Sequence, residues 1–113
     1  LAREKAKTMI KSDDSSSSQV RNIQFMGTSN KPNMSLNIGG IKIAIEFKKG
    51  NRGDALREGI GQSLIYSTIY DFVLYMFIDT SDNDKIINGS AGITEENFLE
   101  DIWENFNVKF VIV

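Results

Sequence analysis

Residues 33–48 read Asn33-Met34-Ser35-Leu36-Asn37-Ile38-Gly39-Gly40-Ile41-Lys42-Ile43-Ala44-Ile45-Glu46-Phe47-Lys48. Met34, Leu36 and Ile38 alternate with polar neighbours, a Gly-Gly pair intervenes, and Ile41, Ile43, Ile45 and Phe47 alternate with Lys42, Ala44, Glu46 and Lys48. Alternation on both sides of two residues that tolerate positive φ predicts a β-hairpin. With Ile38 and Ile41 flanking the loop, Leu36 faces Ile43, Met34 faces Ile45 and Asn33 lies opposite Glu46. One face is then wholly apolar. The other carries Asn33 with Glu46, Ser35 with Ala44 and Asn37 with Lys42, and Lys48 follows Glu46 on the same side.

Around this hairpin the chain alternates helix and strand signals. Leu1 to Lys11 are mostly helix formers, and the polar run Asp13 to Ser18 after them predicts a loop. Gln19 to Met26 predicts a first strand through Val20, Ile23 and Phe25, and Gly27 to Lys31 a turn. After Gly50, Asn51 and Gly53, Asp54 is placed to cap a helix running to about Tyr70, with Leu56, Ile60 and Leu64 on its buried stripe. Gly59 and Gly61 inside that helix point to close packing against a sheet. The apolar run Phe72 to Ile78 predicts a strand buried on both faces, and Asp79 to Asp84 a loop. Thr94 caps a further helix with Phe98, Leu99 and Ile102 inward, and Val108 to Val113 forms a last strand. The expected fold class is α/β: a mixed central β-sheet flanked by helices, in a single domain over 1–113.

Composition narrows the chemistry. The 113 residues contain no cysteine and no histidine, which excludes thiol nucleophiles, disulfide scaffolds, zinc fingers and histidine-based hydrolases. Carboxylates, lysine, hydroxyls or a hard metal ion remain. Thirteen basic against fifteen acidic residues give a net charge of -2, so a nucleic-acid site must be a local basic patch. No apolar run is long enough for a transmembrane helix, and no signal segment opens the chain, so a soluble, intracellular (cytoplasmic) protein with no membrane partner is expected.

Glu46 and Lys48 on one strand face admit two readings. One is a half-exposed strand with a surface ion pair. The other is a magnesium site with a lysine beside it, because magnesium takes hard oxygen ligands, and directly opposed Asn33 and Glu46, with Cβ atoms about 5 Å apart, can share an ion. Such an ion activates water and offsets charge on a phosphoryl group, while Lys48 positions the nucleophile or neutralises the transition state.

Pro32-Asn33, then Glu46-Phe47-Lys48 on the next strand, resembles the PD-(D/E)XK nuclease superfamily, in which Pro-Asp precedes Glu-x-Lys. Gln62-Ser63-Leu64-Ile65-Tyr66 on the following helix is similar to the Gln-x-x-x-Tyr element of its RecB-like branches, and Glu58 extends that stripe by a turn. The resemblance implies a restriction-endonuclease-like αβββαβ core and a magnesium-dependent DNA endonuclease, with manganese as a substitute ion. It implies metal ligation by Glu46, the residue at position 33 and the carbonyl of Phe47, assistance to the attacking water from Lys48, and support of the site or contact with the backbone by Gln62. Lys49, Arg52, Arg57 and Tyr66 are the expected nucleic-acid contacts, with duplex or branched DNA as partner. Glu4 on the first helix is a further candidate acid. Cutting both strands implies a homodimer or a larger assembly.

The chain departs from the pattern at one place. Asn33 stands where the family has Asp, and no acidic residue lies between Ser15 and Ile45 to replace it. An amide oxygen can ligate a cation but adds no charge, so affinity should fall. An introduced Asp→Asn change that traps an inactive protein, a natural degenerate site and a working natural variant all fit. A nuclease-like module that binds nucleic acid or a protein partner without cutting is the alternative function.

Overall fold

The computed structural model describes residues 22–113. The expected first helix, with Glu4, and the polar run after it lie outside the described residues. The described chain runs β1 (Ile23–Phe25), β2 (Thr28–Asn30), β3 (Met34–Ile38), β4 (Ile41–Gly50), α1 (Gly53–Tyr66), β5 (Phe72–Asp79), the short α2 (Lys85–Asn88) between two 3-10 turns, α3 (Ile93–Phe106) and β6 (Val108–Ile112).

The central sheet has four strands in the order β3-β4-β5-β6. The β3–β4 pair is antiparallel, and β4–β5 and β5–β6 are parallel, so the sheet is mixed. Parallel neighbours need a long crossover, and α1 and α3 supply the two that this order requires. Met34 pairs with Ile45, Leu36 with Ile43 and Ile38 with Ile41, the register that the turn chemistry dictates. Gly39 and Gly40 both have positive φ, at 58° and 86°, as a two-residue hairpin turn demands.

The N-terminal part differs from expectation. Met26 and Gly27 adopt positive φ and join β1 to β2, so Thr28 to Asn30 is strand rather than turn. This small hairpin forms its own two-stranded sheet instead of extending the central one. It is anchored by Ile23, which joins the main core.

The two faces of the sheet also differ from what the hairpin pattern suggests. Ala44, Val73 and Val108 pack with Tyr66, Tyr70 and Ile102 in the main core, so the face with the smaller and more polar hairpin residues lies beneath the helices. The apolar hairpin face forms a second cluster centred on Leu36 and Ile45, with Met34, Ile38, Ile41, Ile43 and Leu74 partly buried around them. Strand β5 is accordingly not buried on both faces: Val73, Tyr75 and Phe77 are buried, Phe72, Leu74 and Met76 half-buried, and Ile78 is exposed.

Helix α1 begins at Gly53 with Arg52 at its N-cap, so Asp54 falls inside the first turn. The helix stops at Tyr66, where the hydroxyls of Ser67 and Thr68 donate to the carbonyls of Leu64 and Ile65. Its buried residues are Gly59, Ser63 and Tyr66, while Leu56, Ile60 and Leu64 are only half-buried. Small residues win this face because the helix backbone comes down onto Tyr75, whose hydroxyl donates to the carbonyl of Leu56 at 3.0 Å. A Cβ on Gly59 would strike the Tyr75 ring, whereas one on Gly61 would meet nothing within 4 Å. Helix α3 is capped by Gly92 rather than Thr94; it buries Ile102, half-buries Leu99 and leaves Phe98 40% exposed. Among the described residues no helix is long and apolar enough to cross a membrane.

The two helical glycines therefore respond oppositely to the same change. Gly59→Ala should destabilise the protein by about 1–3 kcal/mol through overpacking. Gly61→Ala should stabilise it by about 1 kcal/mol, the helix-propensity gain at an exposed site. Urea unfolding of the two variants beside the parent checks both signs.

Candidate active site

Strand β4 and helix α1 build one polar cluster inside an otherwise apolar layer. Glu46 sits on the helix-facing side of β4, next to Ala44, and is only 4% exposed. That burial rules out the surface ion pair. Its Oε1 accepts a 3.0 Å hydrogen bond from the hydroxyl of Tyr66, itself fully buried at the end of α1. Lys48, two residues along the same face, holds its Nζ 4.0 Å from Glu46 Oε2 and 3.5 Å from Glu58 Oε1. Glu58, Gln62 and Tyr66 recur every four residues, which places them on one stripe of α1. The first meets Lys48 and the last meets Glu46, so Gln62 lies between them, and its Oε1 is buried without a donor.

Opposing effects set the protonation of this cluster. Burial pushes the Glu46 carboxyl up, the Tyr66 hydrogen bond and the Lys48 charge draw it back, and Glu58 pushes it up again; the net direction is upward. Burial, reinforced by the Glu46 charge, also raises the hydroxyls of Tyr66 and Tyr75, so Tyr66 remains a protonated donor at every working pH.

Asn33 is exposed just before β3 and does not point freely at Glu46. Its Oδ1 accepts the backbone N–H of Phe47 at 2.7 Å, which ties the start of β3 to the strand that carries Glu46 and Lys48. The preceding Pro32 is fully buried and fixes the approach of the chain. Phe47 turns its ring to the other face, where it is 38% exposed.

The expected nucleic-acid contacts separate. Tyr66 is corrected outright: a side chain with no exposed surface, bonded to a carboxylate, cannot touch DNA, and its place is to hold Glu46. Lys49 alternates away from Lys48 and is exposed. Arg52 and Arg57 are exposed at the start of α1, both paired with Asp54 at 3.7 and 3.0 Å. Trp103 is 43% exposed and stacks on Phe72 near the outer strand, remote in sequence from the cluster.

Two features escaped the sequence reading: the contact of Glu58 with Lys48 and the engagement of Asn33 by a backbone N–H. The four-residue spacing from Glu58 to Tyr66 was the available signal for the first. Asp79, an acid at the end of β5, is occupied elsewhere, since its carboxylate accepts from the backbone N–H groups of Ser81 and Ile87 and closes the loop after the strand. Among the described residues no three acidic side chains converge into a group that could hold a metal ion. The apolar groove between α1 and α3, lined by Leu56, Ile60, Phe98 and Leu99, does not include Glu46.

No protein-family model, curated protein or solved structure matches the chain.

The raised Glu46 carboxyl has a defined consequence for stability. A group that binds its proton more tightly in the folded state contributes stability below its ordinary value of 4.5 and loses it as pH rises through the folded value. Glu46→Gln removes that loss, so its thermal midpoint should exceed the parent's at pH 7, with the gap closing toward pH 4. Tyr66→Phe should act the other way at pH 7. It strips a buried carboxylate of its donor at a cost of about 1–3 kcal/mol, and the cost should shrink in acid, where Glu46 is neutral. Thermal melts across pH 4–8 read both effects.

Proposed function

We propose that the protein is a metal-dependent DNA endonuclease with a restriction-endonuclease-like core, hydrolysing phosphodiester bonds with magnesium, or manganese in its place. The observation that carries this reading is the buried Glu46 carboxylate, clamped by Tyr66, with the Lys48 ammonium beside it on the same strand face. A protein does not bury a charged pair beneath a helix for stability, since desolvation offsets most of the attraction. The same pair is suited to a phosphodiester.

The residues present fit a hard divalent cation: every donor is oxygen, and the buried, unpartnered Oε1 of Gln62 is an acceptor in want of a positive group. Glu46, the second lone pair of Asn33 Oδ1 and the carbonyl of Phe47 would hold the ion, which when bound lowers the pKa of water and offsets phosphoryl charge. Tyr66 fixes the orientation of the Glu46 carboxylate. Lys48 orients the attacking water and balances charge: the water oxygen bonds to phosphorus and gives up a proton to solvent, while the bond from phosphorus to the sugar oxygen breaks and that oxygen takes a proton from solvent. Gln62 supports the cluster from α1. Arg52 and Arg57 supply phosphate contacts along the backbone. The exposed pairs of Arg52 and Arg57 with Asp54 are worth about 0–1 kcal/mol, so a phosphate displaces them readily.

One site per chain makes a homodimer or a larger assembly the unit that cuts a duplex. A soluble, intracellular location belongs to the same reading. One observation favours the second reading, a nuclease-like module that binds without cutting: position 33 carries an amide, already engaged by Phe47.

Cleavage of supercoiled plasmid and of a four-way junction, in magnesium and in manganese, separates the two. The parent should nick DNA, Asn33→Asp should do so on the order of tenfold faster, and Lys48→Ala should lose about a hundredfold or more. Glu46→Ala should abolish cutting in either background. If neither the parent nor Asn33→Asp cuts any substrate in either metal, the endonuclease reading fails and the binding module takes its place.

A further inference from the structure

We infer that Glu58, on the second turn of α1, is the second carboxylate ligand of the divalent-cation site at Glu46, supplying from a helix the charge that Asn33 does not carry. The inference rests on the nuclease reading above and concerns where its second acid resides.

Charge counting makes the case. Glu46 and Lys48 cancel, and Asn33 adds nothing, so a cation approaching these three gains little over bulk water. Glu58 leaves the cluster one net negative, the value an acid at position 33 would give. Its carboxylate is already at the site: Lys48 Nζ stands between the two carboxylates, 4.0 Å from Glu46 Oε2 and 3.5 Å from Glu58 Oε1. The side chain of Glu58 is 65% exposed, whereas Asn33 Oδ1 already serves the Phe47 N–H. The orphaned Oε1 of Gln62, one turn further along the same stripe, independently marks a place where a buried oxygen lacks its positive partner. With Glu58 added, the site has two carboxylates beside its amide and carbonyl oxygens, the hard-donor set magnesium and manganese accept, with water completing the shell.

Binding of Mn2+ alone, by titration calorimetry and by the loss of the free-ion electron paramagnetic resonance signal, tests this without recourse to activity. Glu58→Gln should weaken Mn2+ binding on the order of tenfold, as should Glu46→Gln. Adding Asn33→Asp to Glu58→Gln should restore it. Because Glu58 also neutralises Lys48, Glu58→Gln is repeated in a Lys48→Met background; a ligand still loses affinity there, and a mere counter-charge does not. Thermal melts confirm that each variant is folded.

Unchanged binding in Glu58→Gln, with loss in Glu46→Gln, overturns the assignment of Glu58 and leaves the metal site at Glu46 intact. No loss in the Lys48→Met background overturns it equally, and loss without rescue by Asn33→Asp overturns the substitution for position 33. Binding only in Asn33→Asp, and not in the parent, shows that Glu58 supplies no ligand. If neither the parent nor Asn33→Asp binds Mn2+, the metal-dependent reading itself falls.

Discussion

An ionised carboxylate taken out of water costs several kcal/mol unless a donor and a counter-charge meet it. Glu46 is met by both, from two elements. The Tyr66 hydroxyl comes from the end of α1, and the Lys48 ammonium from the next outward position on β4. Satisfying this one group fixes how far along β4 the helix must lie and which of its faces turns downward. The close approach that results demands a glycine at 59 and turns the Tyr75 hydroxyl onto the helix backbone. The crossover between β4 and β5 is thus shaped as much by a buried charge as by apolar packing.

That arrangement has the character of a functional compromise. The main core holds alanine, valine and tyrosine against the sheet, while the larger aliphatic residues of the hairpin gather in the lesser cluster on the opposite face. A chain folding for stability alone would set isoleucine and leucine beneath the helix. Here the layer beneath the helix is thinned to make room for Glu46, Lys48 and the glutamine between their helical partners.

Much of this was legible in the sequence. Strict alternation around Gly39-Gly40 fixed the hairpin register residue by residue, since a slip of one position would reverse every side chain. The order of the strands and of the two long helices from β3 onward followed from turn chemistry and period, while the short α2 did not. Glu46 and Lys48 declared themselves as charges together on one face of a strand whose other face is apolar. What could not be read was which face of the sheet the helix would choose. Periodicity finds the Leu56-Ile60-Leu64 stripe, but close packing selected Gly59 and Ser63, whose small size carries no hydropathic signal, together with Tyr66. The contacts of Tyr66 with Glu46 and of Glu58 with Lys48 are likewise tertiary. Asn33, expected to look at Glu46, instead accepts a main-chain hydrogen bond one residue further on.

Sequence separation adds a temporal dimension to the site. The β3–β4 hairpin closes on a two-residue turn, so its pairing is local and entropically cheap, and at that stage Glu46 remains hydrated. Its bond to Tyr66 spans 20 residues, and the bond of Tyr75 to Leu56 spans 19, so both wait for the helix to land on the sheet. Dehydration of the carboxylate therefore comes with the late, non-local contacts of folding rather than with the first ones. The hairpin can nucleate unburdened by the charge it carries, and the cluster around Glu46 comes into being as a single cooperative event.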